Sequence, residues 1–597
     1  MKPNSSPVVI TGMHRSGTSL AASLLLACGV GLGDRLLAPD PANPRGYFED
    51  TEFLELDREM LIAATLEKDG GHRDWGWTES EELDRSRLPA FEDRAHAVAE
   101  MRRTNGHHWG FKDPRASLLL DFWDAVLDEP VYLLVYRQPW EVADSLQRLG
   151  AEVFLRHPEY SYRIWAFYNR QILAFLRNHR DRCLLVSTDA AARRPRELLE
   201  LVAERWGLDT SGAHPDEILD PRLLRRCEAD DPLVTLAAAT HPECAELLAE
   251  LDAAADLPGS DLWRAHSLDP RHKKHTPGGG ARVAVIVPCF DHGEFLVEAV
   301  ASAERSIREP IELIVLNDGS GQARTLEVLA SLKVGGYCVL DTENGGIASA
   351  RNRAIEASTA PYLLPLDADN RLVPGFVERA ADILDSRAET GVVYGDRRDF
   401  GLRSGFVDVP SFDLGELIAA NFIDACALVR RQVWEDCGGY DSRMPAPGWE
   451  DWDLWLGACR RGWGFHHLPV EAFEYRVRPG SILAELADEE SRAPLVRYLL
   501  SKHGELYREH LPELLLTGQR QSTSLFWEAR LRERGDREIG SLQAQTEQLT
   551  SELNALREEL SAFRERVAFM EQTRAWRVRR RLVAVKRRAL GLLVGTS

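Results

Sequence analysis

The chain has 597 residues, more than one hydrophobic core normally serves, so two or three domains of roughly 100–250 residues each are expected. An apolar content of 44%, a charged content of 28% and 15 tryptophans exclude a disordered polypeptide. A formal net charge of -21 excludes a general nucleic-acid binder, because affinity for a phosphate backbone comes from net basic surface; any anionic ligand must be held locally.

The first strand signal is VVIT, Val8 to Thr11, followed by GMHRSGTSL and a helical stretch. Gly12, Gly17, Thr18 and Ser19 nearly reproduce the spacing of a phosphate loop, in which backbone N–H groups cradle a phosphate at a helix N-terminus, but the lysine is missing. Two more strand-like runs, VYLLVY and CLLVS, and helices such as PRELLELVAERWGL make residues 1–270 an α/β layer domain. VYLLVY ends in Arg137, a cation where a nucleotide triphosphatase would place a magnesium-holding carboxylate. Arginine offers a rigid fork of donors, so a directly contacted phosphate is expected and ATP hydrolysis is not.

GMHRSGTSL, KDPR and YRQPWEVADSL together resemble the sulfotransferase family, over residues 7–210. The resemblance implies a P-loop-like domain that takes 3'-phosphoadenosine-5'-phosphosulfate as donor. Arg15, Ser16, Gly17, Thr18 and Ser19 would hold the 5'-phosphosulfate, and Arg137 with Ser145 the 3'-phosphate. The base for the acceptor hydroxyl would be Glu49 of NPRGYFED, with His14 as the alternative. Lys112, Asp113 and Arg115 read either as anion holders or as a structural ion-pair cluster.

RHKKHTPGGGAR, with its charge, proline and glycine, marks a boundary at 271–281. A second alternating series occupies 282–505: VAVIVPCF, the helix HGEFLVEAVASAE, IELIVLNDGS, the helix ASARNRAIEAS, and YLLPLDADN. Asp367 and Asp369 stand two apart at a strand end, so both carboxylates emerge on one face, where they can share a hard divalent cation with a diphosphate. These motifs, in this order and closed by GWEDWDLWL, resemble family 2 glycosyltransferases. The resemblance implies a nucleotide-sugar donor with manganese or magnesium on Asp367 and Asp369, and donor contacts from Pro288, Phe290, Asp318, Arg351 and Asp367. It also implies inversion, with Asp451 as the base. Glu450 is the neighbour to exclude, and Asp453 is free to turn elsewhere. Where some relatives carry a third, histidine ligand, FEYRVRPGS has Arg478; His466 and His467 upstream are the substitutes.

Nine cysteines stand singly with no C-x-x-C pair, the pattern of buried free thiols in a reducing compartment. No charged and then apolar leader precedes the first strand, and no run reaches the roughly 18 apolar residues of a bilayer span, so a cytoplasmic protein is expected. Residues 506–540 read as a helical connector. From 541 to 575, Leu542, Leu549, Leu556, Phe563 and Met570 recur every seventh residue with Leu553, Leu560 and Val567 between, the seam of a coiled coil covered by self-association or by docking back. The tail 576–597 continues a run that carries eight basic residues between Arg574 and Arg588, set among apolar ones, which suits anionic lipid headgroups.

The expectation is thus an α/β protein of two open-sheet domains, sulfotransferase-like and then GT-A-like, with a coiled-coil helix at the end. It would add sugar, and sulfate, to a glycan or lipid-linked glycan of a cell-surface polysaccharide. The alternative keeps the glycosyltransferase and makes the first domain a non-catalytic nucleotide- or glycan-binding module.

Overall fold

The computed structural model describes residues 6–509, apart from 41, 42, 44, 67–69, 104–107, 219–226, 228–230, 260–277, 279, 482–485 and 487, and beyond them only 510–512, 514–516, 518, 519 and 548. Most of the boundary segment 271–281 and most of the connector 506–540 lie outside the described residues. So do the basic tail 576–597 and, Gln548 apart, the coiled coil 541–575. The chain falls into two compact units, 1–509 and 510–597. No helix among the described residues is long and apolar enough to cross a membrane.

The first sheet has four strands in the order Gly110–Lys112, Val8–Thr11, Val131–Tyr136, Cys183–Ser187, all parallel. Parallel strands covered by helices on both faces read as unbroken apolar runs, which is why VVIT, VYLLVY and CLLVS stand out. Their carboxyl ends share one edge, and the Gly12–Gly17 turn, Asp113, Arg137 and Thr188 all follow directly from it.

The turn after Val8–Thr11 leads into helix Thr18–Ala27 and lies on the neighbouring strand: a β-carbon at Gly12 would stand 2.1 Å from Val135 O. At Gly17, φ is +84° and a β-carbon would meet Thr188 Cγ2 at 2.4 Å. Gly12→Ala must push the turn off the neighbouring strand, and is expected to lower stability by about 2–3 kcal/mol, read as a lower thermal midpoint of the intact chain.

The second sheet has nine strands. Tyr362–Pro365, Val283–Cys289, Ile311–Asp318 and Cys338–Thr342 run parallel in that spatial order. Beyond Tyr362–Pro365 the sheet turns mixed, through Leu428–Arg430, Thr390–Gly401, Gly464–Val477 and Arg371–Leu372, with Gly405–Val407 pairing the outer part of Thr390–Gly401. Asp318, Phe290, Asp367 and Asp369 all follow or end parallel strands on one edge.

The two sheets share one continuous apolar core. Helix Pro232–Thr240, which precedes the boundary segment, packs on helices Gly293–Ser306 and Ala323–Val334 of the second half. Val234, Leu236 and Ala237 join Leu296 and Val300 in that core.

Candidate active site

At the first edge, Arg15 (φ 66°) and Gly17 (φ 84°) curl the turn through two left-handed residues, a geometry that gathers successive backbone N–H groups into an anion-binding concavity. The side chains that arrive there come from distant parts of the sequence. Arg15 Nε donates to Ser145 Oγ at 2.8 Å, and Arg137 Nη1 to the Arg15 carbonyl at 3.3 Å. Glu141 orients Arg137 by accepting from its Nε at 2.8 Å. Burial and the adjacent Arg137 charge lower the Arg15 pKa, although Tyr47 and Asp40 oppose the shift. Ser16 Oγ is buried with no hydrogen-bond partner among the described residues, Thr18 is buried, and Ser19 Oγ donates to the Tyr47 carbonyl at 3.3 Å.

Glu49 is ion-paired with Lys112 at 2.6 Å, both side chains being buried, and Arg115 lies 3.9 Å away. Asp113 accepts from the Arg115 backbone N–H at 2.8 Å, and burial pushes its pKa up to about 6. The FKDPR stretch thus builds a buried ion cluster beneath the loop. His14 stacks on Trp75 at 3.9 Å; burial, with the Arg115 and Lys112 charges, drives its pKa well down and keeps the ring neutral.

At the second edge the Asp367 carboxylate accepts from Arg351 Nη2 at 2.7 Å, and Glu450 accepts from the same guanidinium's Nη1 at 2.7 Å. Arg351 is 1% exposed. Both of its terminal nitrogens are thus engaged by carboxylates at the sheet edge, and the guanidinium lies over the Tyr440 ring at 5.4 Å. Asp318 is likewise committed, accepting from the Gly345 and Gly346 N–H groups at 2.9 Å each, which closes the glycine turn before helix Gly346–Glu356. Pro288 lies within its strand, and Phe290 is 48% exposed at the edge.

Asp369 accepts from Arg478 Nε at 2.7 Å, and Arg478 Nη2 meets His292 Nε2 at 2.8 Å. At the position of the looked-for third ligand, a cation therefore neutralises one of the aspartates. His467 is held by Asp396 at 2.8 Å and His466 by Arg387 at 3.1 Å; among the described residues no cluster of three His, Cys, Asp or Glu forms a cage. The donor set still fits a hard cation shared with a ligand. Each aspartate gives one oxygen to an arginine and keeps the other without a hydrogen-bond partner among the described residues, on side chains 32% and 17% exposed. Burial and the Asp369 charge raise the Asp367 pKa against the pull of Arg351, the electrostatic signature of paired carboxylates that a cation would relieve.

Asp451 begins helix Glu450–Arg460 and accepts from Asn421 Nδ2 at 3.1 Å and from the Trp452 N–H at 2.7 Å. Burial, then the Glu450 charge, lifts its pKa well above the ordinary carboxylate range, with Arg351 pulling the other way. Asp453 points elsewhere, to Lys502 at 2.7 Å and His503 at 2.8 Å. Trp452 and Trp455 are core residues whose indole N–H groups cap the Leu417 and Ile423 carbonyls, leaving half-buried Trp449 nearest the surface.

Asp424 escaped the sequence reading. Burial and the Asp367 charge push its pKa up to about 6, and its electrostatic neighbours are Arg397 and Arg351. Its only sequence signal is an acidic residue inside the otherwise apolar stretch NFIDACALV.

The sequence model of Glycosyl transferase family 2 matches residues 284–436. The chain is 26% identical over 192 residues to the chondroitin synthase of Pasteurella multocida (strain Pm70), covering 31% of this chain and 20% of that one. Against the hyaluronan synthase of Pasteurella multocida the identity is 26% over 192 residues, covering 31% and 19%. An uncharacterized glycosyltransferase of Rickettsia felis is 25% identical over 190 residues, covering 30% and 31%. The matched region thus spans less than a third of these relatives' own length. Among solved structures, S. aureus TarS 1–349 in complex with UDP-GlcNAc aligns with 18% identity over 37% of this chain and 66% of that chain, at a TM-score of 0.31. The chain is thus similar to glycosyl transferase family 2 over residues 284–436, in the same half of unit 1–509 as the second sheet edge.

Proposed function

We propose that this chain transfers a sugar from a nucleotide-diphosphate sugar to a hydroxyl of a glycan or lipid-linked glycan, with inversion, in the synthesis of a cell-surface polysaccharide. The observation that carries this reading is the grouping of Asp367, Asp451 and Glu450 around Arg351 at the carboxyl edge of the second sheet. Asp451 removes the proton of the acceptor hydroxyl, held in position by Asn421 and the Trp452 N–H. As the new bond to the anomeric carbon forms on one face, the bond to the diphosphate breaks on the other. A manganese or magnesium ion on Asp367 and Asp369 supplies charge stabilisation for the departing diphosphate when bound. Arg478, paired with Asp369, would add a positive charge beside the same anion. The test is release of nucleoside diphosphate from uridine, guanosine and thymidine diphosphate sugars with manganese or magnesium; no turnover with any donor overturns the reading.

The convergence of Arg15, Ser145 and Arg137 favours a second activity, sulfuryl transfer from 3'-phosphoadenosine-5'-phosphosulfate in the first domain. Charge-assisted hydrogen bonds of this kind contribute about 1.5–3 kcal/mol each, so Arg137→Ala is expected to weaken binding of adenosine 3',5'-bisphosphate on the order of 10–100-fold by calorimetry. Unchanged affinity, or none in the parent protein, removes the sulfotransferase. The Glu49–Lys112 pair, which engages the expected base, favours the rival binding module. Binding of the bisphosphate without sulfuryl transfer to any glycan would select it. The nine free thiols support a cytoplasmic setting. The basic tail would meet the inner membrane face, and the heptads would pair two copies.

A further inference from the structure

Helix Pro139–Arg148 carries Ser145, the partner of Arg15 in the first pocket. The residues on either side in reach of the second half are Asp144 and Arg148. Arg148 grips Glu474 with both arms, at 2.8 and 2.7 Å. Asp144 accepts from Arg371 Nη1 at 2.6 Å. Arg371 Nε donates onward to Glu298 at 2.9 Å, and the same Glu298 oxygen accepts from Arg476 Nη2. Arg476 Nε then donates to the carbonyl of Asp369 at 2.9 Å, and its backbone N–H to Asn370 Oδ1 at 3.0 Å. Arg371, Glu298 and Arg476 are 5%, 9% and 1% exposed, and the Phe400 ring lies against both guanidiniums at 4.6 and 4.5 Å.

The charge balance gives this chain its direction. Arg371 and Arg476 share the single carboxylate of Glu298 between them, and Glu474 stands back from Arg371 at 3.6 Å. Asp144 supplies the second close negative charge, divided between Arg371 at 2.6 Å and Arg148 Nε at 3.0 and 3.1 Å. Without it a buried guanidinium is left under-compensated, a costly state that is relieved by drawing on other acceptors. Besides the shared Glu298, the side chain of Arg476 has the peptide carbonyl of Asp369 as its acceptor.

We propose that Asp144, a residue of the N-terminal half, is a positioning residue for the Asp367–Asp369 turn of the glycosyltransferase half, acting through Arg371, Glu298 and Arg476. The inference rests on the glycosyltransferase reading, and its test separates the two. Manganese binding in the presence of UDP is followed by electron paramagnetic resonance. Asp144→Asn is expected to weaken it about threefold to tenfold, and Asp144→Glu to restore most of the loss. Arg305→Gln, which breaks another pair between the halves (Arg305–Asp231, 2.8 Å), is expected to lower the thermal midpoint while leaving manganese affinity within twofold. If the parent protein binds manganese and UDP but Asp144→Asn does so equally, or Arg305→Gln weakens binding as much, the inference is overturned. A parent protein that binds neither defeats the glycosyltransferase reading instead. Should Asp144→Asn not fold, Arg371→Lys decides, since lysine lacks the planar fork by which Arg371 holds Glu298 through Nε and Nη2 and Asp144 through Nη1: a matching loss supports the inference and none overturns it.

Discussion

Asp451→Asn is expected to lower sugar transfer by about 10²–10⁴-fold while changing nucleotide-sugar binding by less than about threefold. The carboxylate lies at the start of a helix, oriented by Asn421 and the Trp452 N–H, and an amide of the same shape keeps the packing but cannot take a proton. The pH profile supplies an independent readout. Burial and Glu450 raise the Asp451 pKa, so the group is protonated, and the enzyme inactive, over a wider acid range than an ordinary aspartate would give. Transfer should therefore rise with pH through a midpoint above the usual carboxylate range, and this acid limb should vanish from the residual activity of the variant. Retention of more than a tenth of the transfer rate, or an unchanged limb, would remove Asp451 from the role of base.

The second large effect is expected at the paired aspartates. Asp369→Asn should reduce manganese-dependent turnover of nucleotide sugar by about 10²–10³-fold, the scale on which loss of a single charge-stabilising contact is felt in a dry site. The variant removes one of two carboxylates and also strands Arg478, whose Nε loses its anionic acceptor. Two consequences follow: raising manganese should recover part of the rate, and the chain should melt at a lower temperature. Turnover that ignores both the substitution and chelation would count against a cation on Asp367 and Asp369.

Much of this architecture was legible because of where parallel strands sit. Covered on both faces, VVIT, VYLLVY, VAVIVPC and IELIVLND carry no polar alternation, and the residues that follow them land on one edge. Gly110–Lys112 was not legible: three residues flanked by histidine, tryptophan and a charged KDPR give no period. The mixed part of the second sheet was equally opaque, because Gly464–Val477 interleaves His466, His467, Glu471, Glu474 and Arg476 with apolar residues. At the site, spacing alone marks Asp367 and Asp369 as a pair, whereas Asp451 is marked only by the family resemblance of GWEDWDLWL. The partners of Arg351 and Asp318 were not legible, because they lie far along the chain or across a turn. A charged residue in a sequence reads as solvated, and only the tertiary fold reveals that Glu298, Arg371 and Arg476 are sealed inside.

The continuous core, with helix Pro232–Thr240 lodged against Gly293–Ser306, bears on how such a chain can change over generations. A junction between halves that met only through a tether would let each be exchanged or discarded like a module. Here the seam is apolar and ion-paired, so a swap on one side leaves bare hydrophobic surface or an orphan charge on the other. The two halves are bound to drift together, and recombination within 282–505 is constrained by residues some hundreds of positions away.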